Sequence, residues 1–222
     1  MKKIFSLLFL LLLLTGCGAK PAPLWIAAGH KQLETFKQDF LTGRAPRITE
    51  IHFRNAVEEI KKSGDADLLG KAWLTRMALQ IAVLREPEEG DYMKIEAAEV
   101  IPANRNFYLF LKGDAAALDV SLLPESYRPF WAALRSGDAA KTAGAITAID
   151  DPLSRLIASG LAVRHRLETE MILRTAVETA SRNGWKMALL AWLERLKSFH
   201  EAAGDAEKAS AIRSRIDLIL SI

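Results

Sequence analysis

A single cysteine in 222 residues excludes an intramolecular disulfide and a cysteine-built zinc cage. A chain of this length buries about 70% of its unfolded surface, so it needs neither staple. Histidine is also scarce. His30, His52, His165 and His200 show neither His-x-x-x-His nor His-Glu-x-x-His spacing, so zinc chemistry has nothing to rest on. Gly-x-Ser-x-Gly is absent, and with it the signal for a hydrolase nucleophile elbow. Walker loops and Gly-x-Gly-x-x-Gly phosphate cradles are absent too. Glu86, Glu88, Glu89 and Asp91 cluster around Pro87 and Gly90 without the ligand spacing of a calcium loop, and read as a solvated turn. An excess of one charge is lacking. Lys and Arg number 30 against 27 Asp and Glu, and only 28 remain once Lys2 and Lys3 are set aside. That balance leaves no nucleic-acid footprint. The expectation is a protein without metal, cofactor or identifiable small-molecule substrate, and not an enzyme. Half of the residues are hydrophobic, which argues against disorder.

Long apolar runs are missing everywhere except at the start. Met1-Lys2-Lys3 precedes an apolar run from Ile4 to Leu14, the pattern of a secretory signal. The run is too short to span a bilayer, which takes about 20 helical residues. Leu14-Thr15-Gly16-Cys17 then resembles a bacterial lipobox. The resemblance implies diacylglycerol in thioether linkage on Cys17, cleavage just before it, and acylation of the new amine. An acylated Cys17 is removed as a catalytic nucleophile. Each buried methylene contributes roughly 0.8 kcal/mol, and two or more chains anchor stably. Gly18 stands where the enteric sorting rule of this family reads Asp as inner-membrane retention. Its presence implies the outer membrane, facing the periplasm, in a host with two membranes. The expected layout is a signal peptide over residues 1–16, the lipidated Cys17 and a tether over 17–29, and a helical domain over 30–222.

Within that domain apolar residues recur at helical spacing. Leu33, Phe36, Phe40 and Leu41 form one stripe, as do Phe53, Ala56, Val57 and Ile60. Leu69, Trp73, Met77, Ile81 and Leu84 form another. Trp185, Leu189, Trp192, Leu193, Leu196 and Phe199 share a face, followed by Ala209, Ile212, Ile216 and Ile219. Each stripe must pack on a neighbour. Gly-Asp-Ala occurs at Gly64, Gly113, Gly137 and Gly204. Gly suits the left-handed position that ends a helix, and Asp suits the cap of the next. Asn183-Gly184 and Asp150-Asp151-Pro152 mark further boundaries. The prediction is an all-α fold of antiparallel helical hairpins. Residues 106–123 fit a helix or, through Leu118, Val120 and Leu122, a β-hairpin; helix is favoured. A subdivision near residues 100–124 is compatible with this pattern.

The turns at Gly64, Gly137 and Gly204 lie 73 and 67 residues apart, near twice the roughly 34-residue period of tetratricopeptide repeats. Gly204-Asp205 with Ala209 and Leu193 with Leu196 fit that pattern. Leu69 and Thr142 stand where it wants a small residue, and its closing prolines are missing. Residues 125–222 thus resemble a degenerate tetratricopeptide array, and residues 31–85 do so more loosely. The resemblance implies a right-handed superhelix that binds other proteins. Through Arg135-Ser136-Gly137-Asp138 and Asp150-Asp151-Pro152-Leu153 the second half is also similar in scaffold to the α-superhelical part of soluble lytic transglycosylases, whose catalytic Glu-Ser pair lies in a separate lysozyme-like domain. Glu125-Ser126 fits their catalytic pair, but the Gly-Leu-Met-Gln motif that follows it there is absent.

His165 and Glu168 have the spacing of one helix face. Arg155, Arg164, Arg166, Arg174, Arg182, Lys186 and Arg195 spread along the C-terminal helices among comparable acid, so no strong field is expected. Trp73, Trp131, Trp185 and Trp192 are expected in the core, and Trp25 docked on the body or at a membrane interface. The partners expected are the membrane, through the lipid, and another envelope protein, which makes the chain an assembly scaffold. The alternative is a glycan-acting enzyme or its accessory, with Glu125 its one candidate residue. An apolar-ligand carrier is a third.

Overall fold

The computed structural model describes residues 23–221, so the signal segment and Cys17 lie outside the described residues. The described residues form eleven α-helices and no strand. In order they are α1 (Leu24–Thr42), α2 (Pro46–Lys61), α3 (Ala66–Ala82), α4 (Gly90–Ala98), α5 (Pro102–Lys112) and α6 (Arg128–Arg135). There follow α7 (Ala139–Thr147), α8 (Pro152–Arg164), α9 (Glu170–Arg182), α10 (Lys186–Ala202) and α11 (Ala206–Ser221). Short 3-10 turns at Val120–Leu122 and Glu125–Tyr127 separate α5 from α6. The first helix begins at Leu24, inside the stretch expected to be tether. It runs antiparallel to α2, with Gly29 buried against Glu59 and Ile60.

The Gly-Asp signals work as their chemistry predicts in three places. Gly64, Gly137 and Gly204 hold φ of 67°, 69° and 73°. The Asp65 carboxylate accepts the N–H groups of Asp67 and Leu68, and Asp138 accepts those of Ala140 and Lys141. Asp205 accepts from Lys208 N–H. The fourth differs. Gly113 ends α5 at φ 71°, but no helix follows Asp114. The buried Asn106 competes for the backbone there. Its amide donates to Asp119 O at 2.9 Å and accepts from Asp119 N–H at 2.7 Å. This side-chain clamp holds the loop irregular. The β-hairpin alternative for residues 106–123 therefore fails, and the favoured helix holds only as far as Lys112, with Val120 and Leu122 exposed on a 3-10 turn.

The centre of the body is α3. Every residue from Met77 to Val83 is buried, so this end of the helix has neighbours on all sides. On one side α8 comes so close that a Cβ on Gly160 would stand 2.4 Å from Ile81 O. On another, the buried Trp192 of α10 donates its indole N–H to Ala82 O at 2.8 Å. Further on, Phe110 of α5 packs against Tyr127 and Trp131 with ring centroids 4.7 and 5.7 Å away. The apolar core is continuous through residues 100–124.

Helices α9, α10 and α11 pack in succession, as in a stack of hairpins. Helices α1 and α10 also meet. Trp185 Nε1–H donates to Gln38 Oε1 at 3.4 Å, and Met187 packs on Gly43. This contact between α1 and α10 lies outside a simple stacked array, in which each repeat touches only its neighbours.

The approach of α8 to α3 makes two glycines behave oppositely. Gly160→Ala forces the two helices apart and should cost about 2–3 kcal/mol as an overpacking change. Gly144, in α7 with nothing near its absent Cβ, should gain about 0.5–1 kcal/mol on replacement by Ala. Urea denaturation midpoints check both. Equal shifts of the same sign would contradict the packing described.

Candidate functional site

An open groove of about 640 Å³ is bounded by α9 and α11, with α10 beneath. The sequence builds it simply. Residues Glu170, Arg174, Glu178 and Arg182 recur every four positions, which places them along one edge of α9. Lys208 and Arg215 stand on α11 opposite. Val177, Leu196 and Ile212 supply an apolar floor, with buried His200 among them. Two cations on α11 thus face an edge of α9 on which two carboxylates alternate with two arginines, with apolar ground between.

Several of these charges pair with each other. Arg174 and Glu170 are 3.6 Å apart, and Arg182 and Glu178 are 2.5 Å apart. His200 stands 3.9 Å from both Glu170 and Asp205. The Lys208 backbone N–H and ammonium hold the Asp205 carboxyl below the usual range, and the Asp205 carboxylate raises Lys208 in turn. The Arg–Glu and Lys208–Asp205 pairs of the rim are exposed and add little stability. They are free to exchange partners with an incoming chain.

The other candidate residues are dispersed. Glu125 and Ser126 lie exposed on a 3-10 turn and do not line the groove. His165 and Glu168 do not share a helix, because α8 ends at Arg164 and Arg166 turns left-handed at φ 59°. Glu168 instead forms a two-pronged bond with Arg195, at 2.7 and 2.5 Å. The acidic cluster is split among separate cations: Glu86 with Arg164, Glu88 with Arg76, Asp91 with Lys94. Glu89 accepts from Tyr108 Oη at 2.6 Å, and that bond, with Lys112 beside it, lowers its pKa. Among the described residues no three His, Cys, Asp or Glu side chains converge as a metal site. Arg155 binds Ile149 O and so serves the fold. Trp131, Trp185 and Trp192 are buried as expected, but Trp73 is only half-buried at the edge of the core, edge-on to Phe53, and Trp25 is half-buried in the first turn of α1. The groove itself escaped the sequence reading. Its one signal is the four-residue charge spacing of α9, which is also that of any solvated helix.

With this geometry in place, the comparisons add one finding. Residues 1–17 match the family described as the prokaryotic membrane lipoprotein lipid attachment site. This supports a membrane-anchored lipoprotein. The match ends on Cys17, the last residue of the lipobox. No helix among the described residues is long and apolar enough to cross a membrane. No curated protein and no solved structure matches the chain.

One ionisable group tests the local packing. The His165 ring closes over Gly113, where a Cβ would meet Nε2 at 2.2 Å. Partial burial, with Arg164 beside it, lowers the His165 pKa. Unfolded histidine titrates near 6.5. The stabilisation this group brings is therefore complete above about pH 6.5 and is lost as pH falls through the lower folded value. Melting temperatures measured from pH 7.5 to 5 should fall less steeply in His165→Gln than in the wild type. Identical slopes would contradict the assignment.

Proposed function

We propose that this lipoprotein is an interaction scaffold of the bacterial cell envelope, held through acyl chains on Cys17 at the periplasmic face of the outer membrane. Its body is the α-helical domain. The groove between α9 and α11 receives an acidic and apolar segment of another envelope protein. The observation that carries this reading is the groove's lining, four cations and two carboxylates around an apolar floor. Complementary charge steers encounter and fixes register, while the apolar floor contributes affinity. The lipid adds a second effect. It confines the protein to the surface where its partners are, which raises effective concentration without any new contact. The successive packing of α9, α10 and α11 supports the same reading, since stacked hairpins present extended binding surfaces.

The test is in-cell crosslinking followed by purification of the full lipidated chain. The wild type should bring down a defined envelope protein. Arg174→Glu combined with Arg215→Glu should lose it at least tenfold while helicity by circular dichroism stays unchanged. Retention of the same partner by the double variant would overturn the groove as the docking site. Absence of any protein partner, with cleavage of purified sacculi by the wild type, would favour the glycan-acting alternative.

A further inference from the structure

Exposed apolar side chains on this body are mostly scattered, but at one place two of them flank a tryptophan. Leu24 is 90% exposed and Ile26 44% exposed, with Trp25 half-buried between them. They form the first turn of α1. Only Gly18 to Ala22 lie between this turn's leading Pro23 and Cys17. At full stretch a backbone advances about 3.5 Å per residue, so the turn starts within about 20 Å of the acylated position. The membrane that holds Cys17 is thus always in reach.

We propose that this first turn of α1 is a second membrane contact, a shallow apolar foot in the lipid interface beside the anchor. The inference rests on the lipid-anchored reading of Cys17. Three features suit the turn to that place. Indole and aliphatic side chains in sequence match the interfacial preference of Trp together with burial of Leu and Ile in the acyl boundary. The N-terminus of α1 has no side-chain cap and no acidic residue in its first turn, so its partial positive charge meets headgroup phosphate without opposition. Moreover, Gly29 packs on Ile60, so the next residues of the antiparallel α2 hairpin, Lys61 and Lys62, stand at the same end of the body. Their ammonium groups are already paired with Glu58 and Glu59 at 2.7 and 2.6 Å. Contact is therefore driven by the apolar turn and depends little on anionic lipid. A foot of this kind converts a swivelling tether into a fixed stance. It sets which side of the helical body faces the membrane.

The experiment uses the full lipidated protein in phosphatidylcholine vesicles whose acyl chains carry bromine, a short-range quencher of tryptophan. Flotation with the vesicles reports the anchor. Quenching reports the foot. The wild type should float and lose part of its emission, more with bromine near the headgroups than near the chain ends. Trp25→Phe should float and lose most of this quenching, because Trp131, Trp185 and Trp192 are buried and Trp73 packs edge-on to Phe53. Leu24→Asp combined with Ile26→Asp should float with Trp25 unquenched. Adding phosphatidylglycerol should change the wild-type quenching little. Flotation without any Trp25-dependent quenching overturns the foot and leaves the anchor standing. Failure of the wild type to float overturns both.

Discussion

The close approach of α8 to α3 at Gly160 and Ile81 is the contact on which the rest of the body depends. A glycine there removes the side chain that would hold two helices at ordinary separation. The last two turns of α3 can then be buried on every side. Trp192 completes the enclosure by donating to the carbonyl of Ala82, a group that would otherwise be buried at a helix end without a partner. Through these contacts the N-terminal hairpin of α1 and α2, the aromatic cluster around Phe110 and the C-terminal helices share one core. The contact of α10 with α1 ties the N-terminal hairpin to the C-terminal helices. The outer helices α9 and α11 are then held at the rim, where they leave a groove between them.

Local chemistry in the sequence foretold much of this fold. Apolar stripes marked the helices, and Gly-Asp pairs marked three of the hairpin turns, because the left-handed glycine and the capping carboxylate act within a few residues. What depends on distant partners was hidden. The clamp of Asn106 on Asp119 spans thirteen positions, and it turned the fourth Gly-Asp site into a loop. Leu84 and Arg166 end α3 and α8 in a left-handed conformation at φ 59° with no glycine to announce it. A helix buried all round has no polar face, so the spacing of residues 77–83 says little about which neighbours they meet. The start of α1 was hidden by Pro23, which reads as tether and yet serves as the boundary of a helix.

The candidate sites divide in the same way. The lipobox was visible because a peptidase and a lipid transferase read a short linear pattern, and linear patterns survive without a fold. The groove was invisible because it is made by two helices separated by a third. Its charges have the spacing of ordinary solvated faces. Only their meeting across α10 distinguishes them. Two physical effects then cooperate in the account of function: acyl chains supply location, and the shape and charge of the C-terminal helices supply choice of partner. Neither effect requires bond-making by the protein itself.

Location comes first, since a docking groove on an unanchored chain would lose the confinement that makes weak contacts effective. The most direct measurement is the intact mass of the mature protein isolated from membranes, with fragmentation of its N-terminal peptide. The account predicts a chain beginning at Cys17 and carrying diacylglyceryl on sulfur, with a further acyl group on the amine. A mature chain beginning elsewhere, or one with a free Cys17 thiol, would contradict it.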